Sequence, residues 1–408
     1  MNPNEKEDKT MEKLAIYGGE PVRRVRINYG KQWIEQDDIT AVEETLQSDF
    51  LTCGPKIKEM EQALCGYTGA KHAVAVSNGT AALHIACMAA GIGPGDEVIT
   101  TPITFAASAN CALYCGATPV FADINPKTYN IDPASIREHI TEKTKAVVAV
   151  DFTGQVVEME EIRKICEEYH LVLIEDAAHS IGSKYNGNQV GRLADITCMS
   201  FHPVKTITGG EGGAVLTDND EYYNRLMLAR THGITHDAAE MSVEPEGPWY
   251  YEQIDLGYNY RITDFQAALI TSQLQKLDRF VARRKEIVAQ YNEAFANVPE
   301  IIIQQEIPQS DTCRHLYIIQ LALESLTCTR REFFDALAAE NVQPQVHYIP
   351  VYWFPHYQKL GYKKGICPNA EHIYGRIMSI PLFPKMTDED VADVIRAVKK
   401  VVENYRKN

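Results

Sequence analysis

The chain has 408 residues, of which 45% are hydrophobic and 23% charged, and its formal net charge is -15. This length predicts two domains, and the acidic balance argues against nucleic acid or an acidic membrane surface as the main partner. No apolar segment approaches the roughly 20 residues of a membrane-spanning helix. The ten cysteines include no CxxC pair, so neither a zinc ribbon nor a thioredoxin-type site is indicated. We expect a cytoplasmic protein without a metal.

Short apolar runs alternate with helical patterns along most of the chain. Residues 1–12 have almost nothing to bury and are predicted to be disordered. The patterns predict helices at 35–47, 56–67, 80–90 and 158–168, and strands at 72–76, 97–101, 118–122, 145–150, 171–174, 196–201 and 214–217. This alternation predicts βαβ units and a largely parallel, buried sheet.

The second half of the chain predicts a smaller unit. A long amphipathic stretch at 264–297 closes the first domain, and a strand, a helix (330–340), a strand (342–346) and a terminal helix from residue 388 follow. We therefore predict a large domain over residues 13–290 and a small C-terminal α/β domain over residues 291–408.

Three polar features lie where predicted strands end, which is where open parallel sheets bind ligands. Lys205 follows the strand at 196–201, and Asp176 follows the strand at 171–174. The turn Ser77-Asn78-Gly79-Thr80 opens a helix, whose free N-H groups and positive dipole end favour an anion. Each feature also has an ordinary explanation, because surface lysines and helix caps are common.

Taken together, the three features meet the requirements of pyridoxal phosphate. This cofactor needs an amine for covalent attachment, an anion beside its ring nitrogen and a cradle for its phosphate. Ser200 adds a hydroxyl at another strand end, and Phe105 is placed to stack on the ring. The residues therefore predict a pyridoxal-phosphate enzyme.

Motifs in order along the chain, from about residue 29 to 384, are similar to those of a known family. The chain resembles the sugar aminotransferases of the DegT type. The matching segments are Leu51-Thr-Cys-Gly-Pro55, Ser77-Asn-Gly-Thr80, Gly93-Pro-Gly-Asp-Glu-Val98, Glu175-Asp-Ala-Ala-His179, Ser200-Phe-His-Pro-Val-Lys205, Glu211-Gly-Gly213, Gly257-Tyr-Asn-Tyr-Arg261 and Gln266-Ala-Ala268. The resemblance implies the fold of aspartate aminotransferase, with a large, mostly parallel-sheet domain and a smaller C-terminal α/β domain.

The resemblance also implies roles for individual residues. Lys205 would hold the cofactor (pyridoxal or pyridoxamine phosphate) covalently and shuttle protons, with Asp176 at the ring nitrogen and His179 near the ring hydroxyl. Further cofactor contacts would be Phe105, Gly79, Thr80, Ser200 and, across the interface of a homodimer with shared sites, Asn259. Gly209 stands where many members carry threonine, so no cross-subunit phosphate contact is implied there.

The implied substrates are L-glutamate as amino donor and a nucleotide-linked 4-keto-6-deoxy sugar as acceptor. The form of the Lys205 segment and the segment Val346-His-Tyr-Ile-Pro350 resemble members that act in pseudaminic acid synthesis. The residues implied to face the sugar or nucleotide are Tyr29, Thr52, His315 and His347, and those implied to neutralise a carboxylate or diphosphate are Arg230 and Arg261.

Four alternative functions compete with this interpretation. A sugar dehydratase of the same family carries histidine at the lysine position, and an inactive regulatory relative lacks the lysine or the aspartate, whereas this chain has both Lys205 and Asp176. A Rossmann dehydrogenase or epimerase requires a GxGxxG turn, which is missing. A perosamine or other 4-amino sugar synthase shares every catalytic residue, and the residues leave that alternative open.

Overall fold

The computed structural model of the protein describes residues 12–407. Its helices are α1 (Gln36–Leu46), α2 (Pro55–Thr68), α3 (Gly79–Ala89), α4 (Ala107–Tyr114), α5 (Pro133–His139), α6 (Met159–Tyr169), α7 (Asp220–Arg230), α8 (Asp264–Leu274), α9 (Leu277–Phe295), α10 (Arg330–Ala339), α11 (Pro355–Lys359), α12 (Pro368–Tyr374) and α13 (Asp388–Tyr405). Its strands are β1 (His72–Val76), β2 (Glu97–Thr100), β3 (Thr118–Phe121), β4 (Thr144–Val150), β5 (Val172–Asp176), β6 (Lys184–Tyr185), β7 (Asn188–Gln189), β8 (Ile196–Ser200), β9 (Gly213–Thr217), β10 (Ile234–Thr235), β11 (Glu252–Gln253), β12 (Ile301–Ile303), β13 (Ser310–Asp311), β14 (Tyr317–Leu321) and β15 (Ile377–Ile380). None of the helices in this range has the length and apolar character that crossing a membrane requires.

A seven-stranded sheet in the order β1-β9-β8-β5-β4-β2-β3 forms the centre of the large domain. Pairing is parallel from β8 to β3, and β9 runs antiparallel to both β1 and β8. A hydrophobic core covers each face of the sheet, and successive residues of a strand point to opposite faces. Val147 and Leu173 therefore belong to one core, while Val148 and Ile174 belong to the other. Burial on both faces explains why these strands are continuous apolar runs. The prediction of an α/β fold with a mostly parallel sheet is confirmed.

Two predicted elements differ from the structure. The stretch at 264–297 is divided into α8 and α9. The core of the large domain includes α8 and the first turns of α9 (Leu277 and Phe280), whereas Ile287 and Tyr291 farther along α9 pack into the C-terminal core. The predicted strand at 342–346 is absent, and Val342 and Gln345 form only isolated bridges. Pro344 between them lacks the N-H that a continuous ladder needs. The other helices and strands predicted within residues 35–217 agree within two residues at each end.

The C-terminal domain consists of the sheet β12-β14-β15 with α10 and α13. Its core also buries Leu14 and Ile27 from the start of the chain. Glu340 holds this segment, since its carboxylate accepts the N-H groups of Ala15 (2.8 Å) and Val22 (2.9 Å). Residues 14–27, which the sequence assigned to the large domain, therefore pack on the small one, and the expected boundary at 290/291 lies inside α9. Residues 1–11 of the predicted disordered segment lie outside the described residues.

Candidate active site

A cavity of about 710 Å³ lies at the carboxyl ends of β5 and β8, where ligands bind in open parallel sheets. It is lined from the large domain by the ends of these strands, the start of α3 and the loop after β8. Phe105 and Ser108, around the start of α4, also line it, as do Tyr29, His347 and Tyr348. The cavity therefore lies between the two domains.

Asp176, the last residue of β5, is buried at the floor of this cavity. Its carboxylate accepts a hydrogen bond from the Ser108 hydroxyl (2.6 Å) and one from the N-H of Ala178 (3.1 Å). Burial raises the pKa of Asp176, while the two hydrogen bonds and the charge of Lys205 oppose that rise. These partners stabilise an ionised carboxylate in a site that excludes water.

Lys205 lies in the loop after β8 and lines the same cavity. Its surroundings remove the ammonium group from water and lower the pKa of Lys205 to about 8, although the charge of Asp176 acts in the opposite direction. A lysine with a lowered pKa can act as a nucleophile and a proton carrier near neutral pH. The structure thus brings together the amine and the carboxylate that the sequence singled out.

The start of α3 forms a cradle for an anion. Asn78 caps the helix by accepting the N-H of Ala81 (2.8 Å). The N-H groups of Gly79 and Thr80 belong to the first turn, where helix geometry provides no partner within the helix. A Cβ atom at Gly79 would lie 2.8 Å from Cβ of Ser200. Glycine therefore lets this helix end approach the Ser200 hydroxyl, and together they form a site suited to phosphate.

Replacing Gly79 with alanine is expected to weaken pyridoxal phosphate binding by about tenfold or more, because the new methyl group pushes the cradle away from Ser200. Gly66→Ala is the matched control, since a Cβ at this exposed glycine of α2 meets nothing within 4 Å. Titration of the stripped protein with cofactor measures the dissociation constant of each variant. Equal affinity of the two variants would contradict this role of the helix end.

Three buried histidines cluster at the cavity, His179 and His347 in its lining and His315 beside His179. Nε2 of His179 lies 3.3 Å from the Tyr348 hydroxyl, and its ring centroid is 4.3 Å from that of His315. Nδ1 of His347 lies 2.8 Å from Oγ of Ser379. Burial lowers the pKa of all three imidazoles. They are therefore neutral at physiological pH and can accept or donate hydrogen bonds without adding charge.

The structure brings most of the predicted residues to the cavity. Those that line it are Tyr29, Gly79, Thr80, Phe105, Asp176, His179, Ser200, Lys205 and His347. His315 lies behind His179 rather than in the lining. Asn259 and Thr52 are exposed outside the cavity, where each forms an isolated bridge, with Thr231 and Thr263 respectively, and Arg261 also lies outside it.

Arg230 lies outside the cavity lining. Its guanidinium donates to the carboxylate of Glu61 (2.7 Å) and to the carbonyl of Ala75 (3.1 Å), and the side chain is buried. This ion pair already neutralises its charge, so Arg230 does not face a substrate anion in this cavity. Packing explains why residue 209 is glycine rather than the threonine of many family members, because a Cβ there would lie 2.7 Å from Ile270.

Sequence reasoning missed two residues of the site. Ser108 holds Asp176 from α4, 68 positions away along the chain, and Tyr348 contacts His179 from the C-terminal domain. No local pattern marks either residue, although Tyr348 falls within the segment Val346–Pro350 that the resemblance singled out.

A model of the DegT/DnrJ/EryC1/StrS aminotransferase family matches residues 32–399. The chain belongs to this family. It is 42% identical to the spore coat polysaccharide biosynthesis protein SpsC of Bacillus subtilis, over 92% of this chain and 97% of that protein. It is 38% identical to a UDP-4-amino-4,6-dideoxy-N-acetyl-beta-L-altrosamine transaminase of Campylobacter jejuni, over 93% of this chain and 99% of the relative.

Solved structures show the same fold. Helicobacter pylori PseC, an aminotransferase of pseudaminic acid biosynthesis, superposes with a TM-score of 0.86 at 32% identity, covering 93% of this chain and 100% of PseC. The sugar aminotransferase Spr1654 of Streptococcus pneumoniae in its pyridoxamine-phosphate form superposes with a TM-score of 0.87 at 32% identity, covering 93% and 99% of the two chains. The protein is therefore a pyridoxal-phosphate-dependent aminotransferase with the fold of that enzyme group.

The residues of the cavity fit this cofactor. Pyridoxal phosphate, when bound, links to an amine and withdraws electrons through its protonated ring. The cavity offers an amine with a lowered pKa at Lys205, a buried carboxylate at Asp176 and a cradle at Gly79 that a Cβ would fill. The exposed ring of Phe105 also lines it.

Proposed function

We propose that the protein transfers the amino group of L-glutamate to C4 of a UDP-linked 4-keto-6-deoxy sugar, namely UDP-2-acetamido-2,6-dideoxy-β-L-arabino-hex-4-ulose, in pseudaminic acid biosynthesis. The observation that carries the aminotransferase activity is the convergence of Lys205, Asp176 and the Gly79 cradle on one cavity. The choice of sugar is supported by the relatives from Campylobacter jejuni and Helicobacter pylori.

In this proposal each residue has a physical task. Lys205 would bind the cofactor, take the proton from Cα of glutamate and later deliver a proton to C4 of the sugar. Asp176 would hold the ring nitrogen in its charged form, and neutral His179 would hydrogen-bond the ring hydroxyl. Phe105 would cover the ring face, while Gly79, Thr80 and Ser200 would hold the phosphate. The proposed substrate contacts are Tyr29, His347 and, indirectly through His179, His315.

Charge supports a homodimer with shared sites. The lining of the described cavity includes one lysine, Lys205, and no arginine, yet the cofactor phosphate, the sugar diphosphate and the two carboxylates of glutamate are all anionic. Further positive charges for the diphosphate and the glutamate carboxylates would then come from outside this lining. A second copy could supply Asn259 and Arg261, which lie outside the cavity of their own chain, together with Thr52.

We also propose a cytoplasmic location, which suits the ten free cysteines.

Mixing two inactive variants tests the shared site. Lys205→Ala lacks the amine and Asn259→Ala lacks the proposed cross-subunit contact, so a heterodimer of the two should contain one site with both residues. We expect each heterodimer to regain one of its two sites, which is about half of the activity of a wild-type dimer. Random exchange in an equimolar mixture makes about half of the dimers heterodimers, so the mixture should recover about a quarter of the wild-type activity. Activity is measured after subunit exchange has been verified with tagged chains. Full exchange without recovery would contradict sharing.

The substrate is tested by incubating the enzyme with L-glutamate and purified 4-keto sugars. We expect a 4-amino product from the UDP-linked L-arabino-configured ketosugar, identified by mass spectrometry and NMR. Turnover of only a GDP-linked or D-configured ketosugar would replace this substrate with that of a perosamine-type or other 4-amino sugar synthase. The 42% identity to SpsC, which is named for spore coat polysaccharide biosynthesis and not for pseudaminic acid, is the reason to test these other ketosugars. Absence of transamination with every ketosugar, despite bound cofactor, would instead favour a regulatory protein.

A further inference from the structure

Two buried carboxyl groups lie together behind the turn that follows β5. Asp151 directly follows β4, and Glu175 precedes Asp176 on the neighbouring strand β5. Both side chains are 0% exposed. Neither forms an ion pair within residues 12–407, where Arg163 is the cation that acts on Glu175 through space. Two negative charges in such a place are unfavourable, so the pair must keep a proton.

The hydrogen bonds indicate which group holds the proton. Both oxygens of Asp151 accept bonds, from the N-H of Val157 (3.0 Å) and the hydroxyl of Ser180 (2.6 Å). Oε2 of Glu175 accepts from the Thr197 hydroxyl (2.8 Å). Its buried Oε1 receives no N-H or O-H from the described residues, and the Asp151 and Glu175 carboxyl groups are close enough to interact directly. A proton on Oε1 would turn this contact into a hydrogen bond.

Asp151 is also tied to the turn that carries the proposed cofactor contacts. Its N-H donates to the carbonyl of Asp176 (3.2 Å), and its carboxylate holds Ser180, which follows His179. The N-H of Ser180 in turn donates to the carbonyl of Ala177 (3.0 Å). A shift of Asp151 would therefore move both ends of the turn.

We propose that Asp151 and Glu175 share one proton, held on Glu175 and donated to the Asp151 carboxylate, and that this bond positions the turn bearing Asp176 and His179. Both are positioning residues, since neither lines the cavity. The inference rests on the proposed cofactor contacts of Asp176 and His179.

Two isosteric variants are expected to differ in their affinity for pyridoxal phosphate. In Glu175→Gln, the amide N-H replaces the shared proton and the amide oxygen still accepts from Thr197. Pyridoxal phosphate affinity should stay within about twofold of the wild type. In Asp151→Asn, the amide nitrogen cannot accept from Val157 or Ser180, so one buried donor loses its partner. Affinity should fall about tenfold. Equal loss in both variants would overturn the assignment of the proton.

The proton itself is measured by denaturant unfolding of the full chain across a pH series, without substrate. The charged groups that act on the pair are Asp176 and Arg163, and the titratable thiol of Cys313 lies beside Asp151. Burial raises the pKa of both Asp151 and Glu175, so the folded chain binds a proton that the unfolded chain releases, and the contribution of this pair to stability falls as pH rises above about 4.

Glu175→Gln removes this proton and therefore its pH dependence. Between about pH 5 and 7, the ratio of the wild-type unfolding constant to that of Glu175→Gln should rise by up to about tenfold per pH unit. An unchanged pH slope would overturn the shared proton, even if Asp151→Asn does not fold. Because this slope needs neither cofactor nor ketosugar, it separates failure of the pair from failure of the proposed function.

Discussion

Lys205→Ala is expected to abolish covalent attachment of pyridoxal phosphate and to lower turnover by at least about 10⁴-fold, because the variant loses the amine that binds the cofactor and carries the proton. The visible absorbance of the purified protein and a glutamate transamination assay measure the two effects. Lys363→Ala is the control, since Lys363 is an exposed lysine outside the cavity. Retention of cofactor absorbance that resists dialysis in Lys205→Ala would refute the role of this lysine.

The wild-type enzyme should show the titration of this amine. Burial lowers the pKa of Lys205 to about 8 because it penalises the ammonium form, so about a tenth of the side chains are neutral at pH 7. Attachment of the cofactor to stripped enzyme should therefore accelerate about tenfold between pH 7 and 9 and then level off. An ordinary lysine would continue to accelerate beyond pH 9. Stopped-flow absorbance distinguishes the two curves.

Asp176→Asn is expected to retain the cofactor and to lower turnover by at least about 10²-fold, the scale of losing one preorganised electrostatic partner. The asparagine keeps the size of the side chain and can accept a hydrogen bond from Ser108, but it cannot stabilise a proton on the ring nitrogen. Single-turnover kinetics with glutamate measure the effect on the chemical step.

Two companion variants identify the cause. Asp176→Ala should lose as much rate as Asp176→Asn, because both remove the charge. Ser108→Ala should lose less, since it removes only one of the two hydrogen bonds to the carboxylate. Near-normal rates in Asp176→Asn, with low rates in Asp176→Ala, would show that the carboxylate acts by packing and hydrogen bonding rather than by its charge.

The amino-acid sequence by itself determined most of the helices and strands and the candidate site residues at their ends. Apolar runs of the right period define the strands of the central sheet, and Lys205, Asp176 and Gly79 could be found because each lies at a strand end or a helix start. Such signals are local, and chemistry at strand ends follows from the geometry of parallel sheets.

Only the tertiary structure decided which partner each side chain meets. Periodicity indicates that a face is buried but not against what, so the division of residues 264–297 between two cores and the docking of residues 14–27 on the C-terminal domain were not predictable. For the same reason Arg230, a candidate for an anion, is neutralised by Glu61, 169 positions away. The contact between Asp151 and Glu175 likewise exists only because β4 and β5 are neighbours in the sheet.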